Sequence, residues 1–330
     1  MRIALDAMGS DDAPAVEVEG ALRALDELGD DVHIVFVGDR ELIESELDRH
    51  PEADRSRIEI EHAPDRIGMG DSAAQAIRRK PESSIVVGLN LHKRGEADAF
   101  ISAGSTGAVM AGSLFILRPL PGVDRPPVGT IFPTEKGHTL LLDAGANVNT
   151  RPKHLVQFAF LGSIYAHDLM ECERPRVGLL NIGEEPGKGN DLTLETYALL
   201  SAADGLHFVG NVEGRDIISG KCDVLVCDGF VGNVVLKFYE SVADYLVRLI
   251  RAEATEEGVE LGIENVERTM DWTEYGGAPL LGVNGVSIIC HGGSPPRAIR
   301  NAIRVAVQAV ERGMVTHMEK QFARLVPTTS

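Results

Sequence analysis

The chain has 330 residues, 44% hydrophobic and 25% charged, enough to bury roughly three quarters of its unfolded surface without disulfides or a structural metal. Its 50 acidic residues against 32 basic ones leave a net charge of −18, and only 8 of the basic residues are lysines. Such a field excludes nucleic-acid binding, which neutralises phosphates, and opposes adsorption to anionic lipid.

In chain order, the sequence opens with a strand at 2–8 rather than a charged-then-apolar leader, which points to a cytoplasmic protein. A helical pattern at 14–28, stopped by Gly29, leads to the strand at 32–38. Helix 39–49, strand 58–62, and helices 71–79 and 82–95 follow, with Pro81 ending the first of that pair. The strand at 98–103 runs into Ser102-Ala103-Gly104-Ser105-Thr106-Gly107 and a helix at 106–117. That helix lies in the longest apolar run, Ala108 to Leu117, about half of the roughly 20 residues that cross a bilayer. The Pro-rich stretch 119–127 is the candidate crossover between two lobes of what is expected to be a single domain, 1–330.

Beyond it lie the strand at 138–143, ending in Asp143-Ala144-Gly145-Ala146-Asn147, and helix 152–170. Strand 176–183 enters the glycine-rich loop Gly183-Glu184-Glu185-Pro186-Gly187-Lys188-Gly189-Asn190, then helix 191–202. Strands at 206–212 and 223–228 precede Asp228-Gly229-Phe230-Val231-Gly232-Asn233 and helix 232–254. Strand 286–290, His291-Gly292-Gly293-Ser294 and helix 297–320 complete the chain. This alternation predicts an α/β fold with an open, mostly parallel, doubly wound sheet flanked by helices.

The glycine turns all follow strands. In open α/β sheets ligands bind outside the carboxyl ends of the strands, against helix N-termini that favour anions. There is no GxGxxG after the first strand, no GxxxxGK[ST], no GxSxG and no HExxH, so dinucleotide, P-loop, serine-hydrolase and zinc-hydrolase readings lack support. Cys172, Cys222, Cys227 and Cys290 are too scattered for a metal site and read as reduced, small apolar residues. The pattern is that of an anion-binding enzyme without an evident covalent nucleophile, metal or other cofactor.

The turns in their order, from Asp6-Ala7-Met8-Gly9-Ser10-Asp11 through Ser102–Gly107, Asp143–Asn147, Lys188-Gly189-Asn190, Asp228–Asn233 and Glu274–Gly282 to His291-Gly292, resemble those of the bacterial PlsX family over residues 1 to about 315. That resemblance implies an acyl-ACP:phosphate acyltransferase that passes a fatty acyl group from acyl carrier protein to inorganic phosphate. The acyl phosphate then feeds a downstream membrane glycerol-3-phosphate acyltransferase in phospholipid synthesis. It further implies a homodimer and a fold similar to isocitrate and isopropylmalate dehydrogenases and phosphotransacetylase.

The family's catalytic Lys and Asn fall on Lys188 and Asn233. Chemically, Lys188 can place a point charge against phosphate or a developing oxyanion, and Asn233 can donate its amide at the start of a helix. Gly104, Ser105, Thr106, Gly107, Asn147 and His291 are the further expected substrate-binding residues, with helix capping, turn formation and a structural histidine as alternative roles. Asp6, Asp143 and Asp228 are expected to orient turns rather than react.

The sequence departs from the family at Ser10, where Gly is usual, at Ser105, where Asn is usual, and at 251–270. There, Glu253, Glu256, Glu257, Glu260, Glu264 and Glu267 replace a lysine-rich membrane-touching pair of helices, so membrane adsorption is expected to be weak. Arg297, Arg300 and Arg304 on one helix face, and Arg78-Arg79-Lys80, are the candidate patches for an acidic carrier protein. An acyl-CoA-dependent transferase, an NAD-dependent decarboxylating dehydrogenase and a scaffold remain as alternative readings.

Overall fold

The computed structural model describes residues 1–257 and 272–325. Most of the acidic segment 251–270 therefore lies outside the described residues. The chain divides into two compact units, Met1–Pro126 with Tyr275–Ser330, and Pro127–Glu274.

The first unit is built on a six-stranded sheet of order β10-β11-β4-β1-β2-β3. Its strands are β1 (Arg2–Asp6), β2 (His33–Gly38), β3 (Ile58–His62), β4 (Ala99–Ser102), β10 (Ala278–Pro279) and β11 (Val286–Ile289). Only β10 runs antiparallel to its neighbour. The inner strands β1, β2, β4 and β11 are almost entirely buried apolar runs because both of their faces are covered, whereas β3 at the sheet edge alternates Ile with exposed Glu. Ile3, Leu5, Ile34, Phe36 and Phe100 are fully buried, each removing apolar surface worth about 1.5–3 kcal/mol.

Helices α1 (Ala15–Glu27), α2 (Arg40–Leu47), α3 (Ala73–Arg79), α4 (Ser84–Lys93) and α5 (Thr106–Ile116) belong to this unit. So do α9 (Pro296–Glu311) and α10 (Met314–Leu325). α1 packs on α9 through Gly20, where a Cβ would stand 2.6 Å from the Ile299 Cβ. The chain winds outward from β1 through β2 to β3 and then returns to the other side of β1 as β4. The reversal puts a topological switch point at the carboxyl ends of β1 and β4.

The second unit carries a five-stranded sheet of order β5-β6-β9-β7-β8. Its strands are β5 (Gly129–Thr134), β6 (Gly137–Leu142), β7 (Arg176–Asn181), β8 (His207–Glu213) and β9 (Val224–Val226), with α6 (Pro152–Leu169), α7 (Asp191–Ser201) and α8 (Gly229–Glu257) around them. All neighbours are parallel except β5 and β6. Phe132, Leu141, Val212, Ile217 and Leu225 form part of its core. Gly162 of α6 leaves room for Leu142 and Val224 below it. Along α8, Phe238 is 71% exposed, and Val235, Phe238, Tyr239 and Leu246 line an apolar groove of about 680 Å³ with Phe132 and Ile217.

The α/β reading holds, with mixed and mostly parallel sheets in both units. Three elements differ from expectation, one of them the two-residue strand β10, which pairs antiparallel with β11 where no strand is expected. β5 went unpredicted because Pro133 interrupts its run; the strand tolerates proline because it is the sheet edge. The expected helix 297–320 is two helices, divided where Gly313 adopts φ 62° and closes the turn with a hydrogen bond to the Val310 carbonyl. Among the described residues, no helix is long and apolar enough to cross a membrane.

Candidate active site

In the second unit, three strand ends stand side by side. β9 pairs with both β6 and β7, so the turns that follow β6, β9 and β7 are neighbours. The β6 turn is organised by Asp143. Its Oδ1 accepts from the N–H groups of Val128, Gly145 and Ala146 at 3.0–3.2 Å. Its Oδ2 accepts from the Asn147 N–H at 2.6 Å and the Asn147 side-chain amide at 2.9 Å. Burial pushes this carboxyl up despite those bonds. Asp143 thus shapes the turn, as expected of it, and Asn147 is held within that turn.

After β9, Asp228 caps α8 by accepting from the Phe230 and Val231 N–H groups, which frees the start of the helix to abut the β6 turn. The Gly229 N–H donates to the Asn147 carbonyl at 2.9 Å, and Gly232 lies so close to the Asp143 carbonyl that no side chain fits. One turn along, the Asn233 side chain lies over Gly145. A Cβ there would stand 3.5 Å from the Asn233 Oδ1. Asn147 and Asn233 therefore meet the same turn, one held within it and the other lying over its Gly145.

Lys188 follows β7 in a loop whose backbone is pinned at several points. The Asn181 side-chain amide donates to the Lys188 carbonyl at 3.0 Å, and the Asn211 amide to the Glu185 carbonyl at 2.9 Å. Gly189, at φ 104°, turns the chain into α7, which Asn190 caps by accepting from the Thr193 N–H at 3.0 Å. The Lys188 ammonium is half exposed and lies 4.0 Å from Glu185. It is a solvent-accessible point charge on a pinned loop, of a kind that can meet an anion.

In the first unit, the Gly104–Gly107 turn and His291 follow the adjacent strands β4 and β11. Asp6, at the end of β1, accepts from the Ser102 hydroxyl at 2.6 Å and the Met8 N–H at 3.0 Å. Ser102 Oγ in turn accepts from the Gly104 N–H. Burial raises the Asp6 pKa. Ser105 occupies the cap position of α5 but makes no side-chain cap bond, while Thr106 and Gly107 are exposed. Exposed His291 accepts from the Gly293 N–H at 3.2 Å.

The basic clusters are partly spoken for. Arg300 pairs with Glu27 at 3.0 Å, Lys80 with Asp71 at 2.8 Å, and Arg78 lies over the Phe115 ring at 5.4 Å. Arg79 and Arg304 are exposed. All four cysteines are free thiols; burial pushes Cys222 and Cys290 up to about 12, which leaves them unreactive.

Sequence reading overlooked Glu17. Its place in the helical spacing 17, 21, 24 puts it on the buried face of α1, the one available sign that this acid is internal.

Paired mostly parallel α/β units with glycine-rich turns at their strand ends define a phosphotransacylase-type fold. The structure superposes on EutD phosphotransacetylase from Staphylococcus aureus with a TM-score of 0.61 at 18% identity, covering 94% of each chain. A phosphotransacetylase from Streptococcus pyogenes gives 0.63 at 16%, again over 94% of each.

The family is fixed by sequence. The model described as "Fatty acid synthesis protein" matches residues 1–317. The chain is 53% identical to a "Phosphate acyltransferase" of Desulforamulus reducens over 98% of this chain and 97% of that one. It is 47% identical to another of Geotalea daltonii over 99% and 96%. The chain belongs to the PlsX family of phosphate acyltransferases and is an acyltransferase enzyme.

Proposed function

We propose that the protein transfers a fatty acyl group from acyl carrier protein to inorganic phosphate, and that the acyl phosphate serves a membrane glycerol-3-phosphate acyltransferase in making phosphatidic acid. A phosphate oxygen attacks the thioester carbonyl carbon, and the carbonyl oxygen becomes an oxyanion. The tetrahedral intermediate then collapses as the C–S bond breaks, and the thiolate leaves to be protonated. The thioester is already activated and phosphate is itself the nucleophile, so catalysis consists of positioning and charge stabilisation.

Lys188 neutralises charge on phosphate or oxyanion, and Asn233 donates its amide to the same developing charge. Ser105, Thr106 and Gly107 offer backbone and hydroxyl donors for the phosphate and acyl thioester. Gly104, its own N–H held by Ser102, shapes the turn that presents them, Asn147 holds the turn beside Asn233, and His291 supplies the thiolate's proton. The observation that carries this reading is the pinned Lys188 loop, with Asn233 laid over Gly145, at neighbouring strand ends of a phosphate acyltransferase family member.

A homodimer is part of the proposal, supported by the exposed apolar side chains of α8, among them Phe238, Tyr245 and Leu249. Exposed Arg79 and Arg304 are the proposed contacts for the acidic carrier. The test is mass-spectrometric detection of acyl phosphate from purified protein, phosphate and acyl donor, with acyl carrier protein and acyl-CoA at equal concentration. Preferential turnover of the carrier-bound donor is expected. Equal or better turnover of acyl-CoA overturns the donor assignment, and absence of acyl phosphate with both overturns the function.

A further inference from the structure

The β1–α1 loop, residues 7–14, touches both first-unit turns assigned to substrate. Gly9 packs against the β4 turn so closely that a Cβ would stand 2.6 Å from the Gly104 nitrogen. The Asp11 N–H donates to the Gly292 carbonyl at 2.9 Å, next to His291. Whatever fixes this loop therefore fixes the backing of both turns.

What holds it is an internal acid. Glu17, in the first turn of α1 and wholly buried, accepts from the Ser10 N–H at 2.8 Å through Oε1 and from the Ser10 hydroxyl at 3.0 Å through Oε2. Ser10 is also wholly buried, and its carbonyl accepts from Arg66 at 2.8 Å. With the usual glycine of the family at position 10, the hydroxyl half of this contact would not exist.

We propose that Glu17 is a positioning residue for the acyl-transfer site, gripping Ser10 and thereby the loop that backs the Gly104–Gly107 and His291–Gly293 turns, with a grip that changes when its carboxyl group gains or loses a proton. This rests on the functional reading above. When ionised, the carboxylate accepts two charge-assisted hydrogen bonds. When protonated, its O–H donates to the Ser10 hydroxyl and the remaining bond to the Ser10 N–H weakens.

The groups that face it come from the elements packed around the loop. Asp6 at the end of β1 repels its charge, the Cys290 thiol at the end of β11 senses it, and Arg66 approaches from the β3–α3 segment through Ser10. Burial, the largest influence, raises the Glu17 pKa to about 7, so the two states exchange in the neutral range.

The test compares wild type with Glu17→Gln, which is neutral at every pH. The first readout is kcat/KM for phosphate between pH 5.5 and 8.5. The second, independent of activity, is hydrogen exchange of the 6–14 segment corrected for intrinsic rates. The ratio of wild-type to variant kcat/KM is expected to change about threefold or more, with a midpoint near pH 7. Wild-type protection of the segment should rise through the same pH, and the variant's should not.

A constant ratio with parallel exchange profiles overturns the proposal. If Glu17→Gln does not fold, Ser10→Ala removes the hydroxyl bond that favours ionisation and should move the midpoint to higher pH; an unmoved midpoint overturns the proposal equally. A wild type that makes no acyl phosphate at any pH refutes the functional reading, and the loop grip is then decided by exchange alone.

Discussion

Both units bury an aspartate at the carboxyl end of a strand, yet they treat it differently. Asp143 in the second unit is saturated by donors of its own turn and its neighbour Val128, and none of these donors is charged. Asp6 in the first unit relays through Ser102 to Gly104 and shares its surroundings with a second buried acid, Glu17. The second unit adds exposed chemistry, Lys188 and Asn233, to a self-contained turn. The first unit offers mainly backbone donors, and their placement depends on internal acids. Burial raises the carboxyl pKa of Asp143 as it does that of Asp6, but the turn it holds carries no second acid like Glu17, on whose ionisation the proposed grip of the first unit's loop depends.

The comparison breaks most directly at the second unit's charge. Lys188→Ala is expected to lower the rate of acyl phosphate formation toward 10³-fold with little change in thermal midpoint, because a lost charge stabilising the transition state is a large effect and an exposed lysine contributes little to folding. Asn233→Ala should cost about 10²-fold, since a neutral donor is the weaker partner. Equal activity of either variant and wild type in a steady-state assay would break the assignment of that residue.

Next in size is the closeness of the turns. Gly232→Ala forces a methyl group into the Asp143 carbonyl, and Gly9→Ala forces one onto Gly104. Each is expected to destabilise its unit by about 1–3 kcal/mol, read as a lowered denaturant midpoint. Gly9→Ala should in addition raise KM for phosphate. Should Gly9→Ala prove neutral in both respects, the loop does not brace the β4 turn.

A smaller effect concerns His92, which links the segment entering β4 to the first residue of β11. Its Nδ1–H donates to the Ala97 carbonyl at 2.9 Å, and its Nε2 accepts from the Val286 N–H at 2.9 Å, an arrangement that requires the neutral ring. Burial depresses its pKa below 6.5. The unfolded state therefore takes up the proton first, and stability present above pH 6.5 is lost as the pH falls below it, by about 1.4 kcal/mol for each pH unit by which the folded pKa is depressed. Urea midpoints from pH 7.5 to 5 should show this acid limb in wild type and a flatter one in His92→Gln. Identical limbs would remove His92 from the account.

Much of the fold was legible because most strands are apolar runs that give way to a glycine-bearing turn and then a helical period, and the central strands are buried on both faces. Legibility failed where a local signal opposed a tertiary one. Pro133 argued against β5, whose edge position makes proline harmless. The apolar period of 297–320 ran past Gly313, whose backbone conformation is invisible in a hydrophobic pattern. Of the candidate site, Asp143 announced its turn-forming role by closing an apolar run just before glycine. Glu17 did not announce its partner, because a contact between Ser10 and the first turn of α1 depends on the path of the intervening loop. The structural consequence of Ser10 standing in place of the family's usual glycine was likewise hidden until the carboxyl facing it was located.

The central claim, direct acyl transfer onto phosphate, is tested most directly with phosphate labelled at every oxygen with ¹⁸O. Attack by a phosphate oxygen on the thioester carbon predicts acyl phosphate that retains all of the phosphate label, formed by wild type and strongly reduced with Lys188→Ala. Release of free fatty acid with the labelled phosphate unconsumed, or equal product from Lys188→Ala, would contradict it.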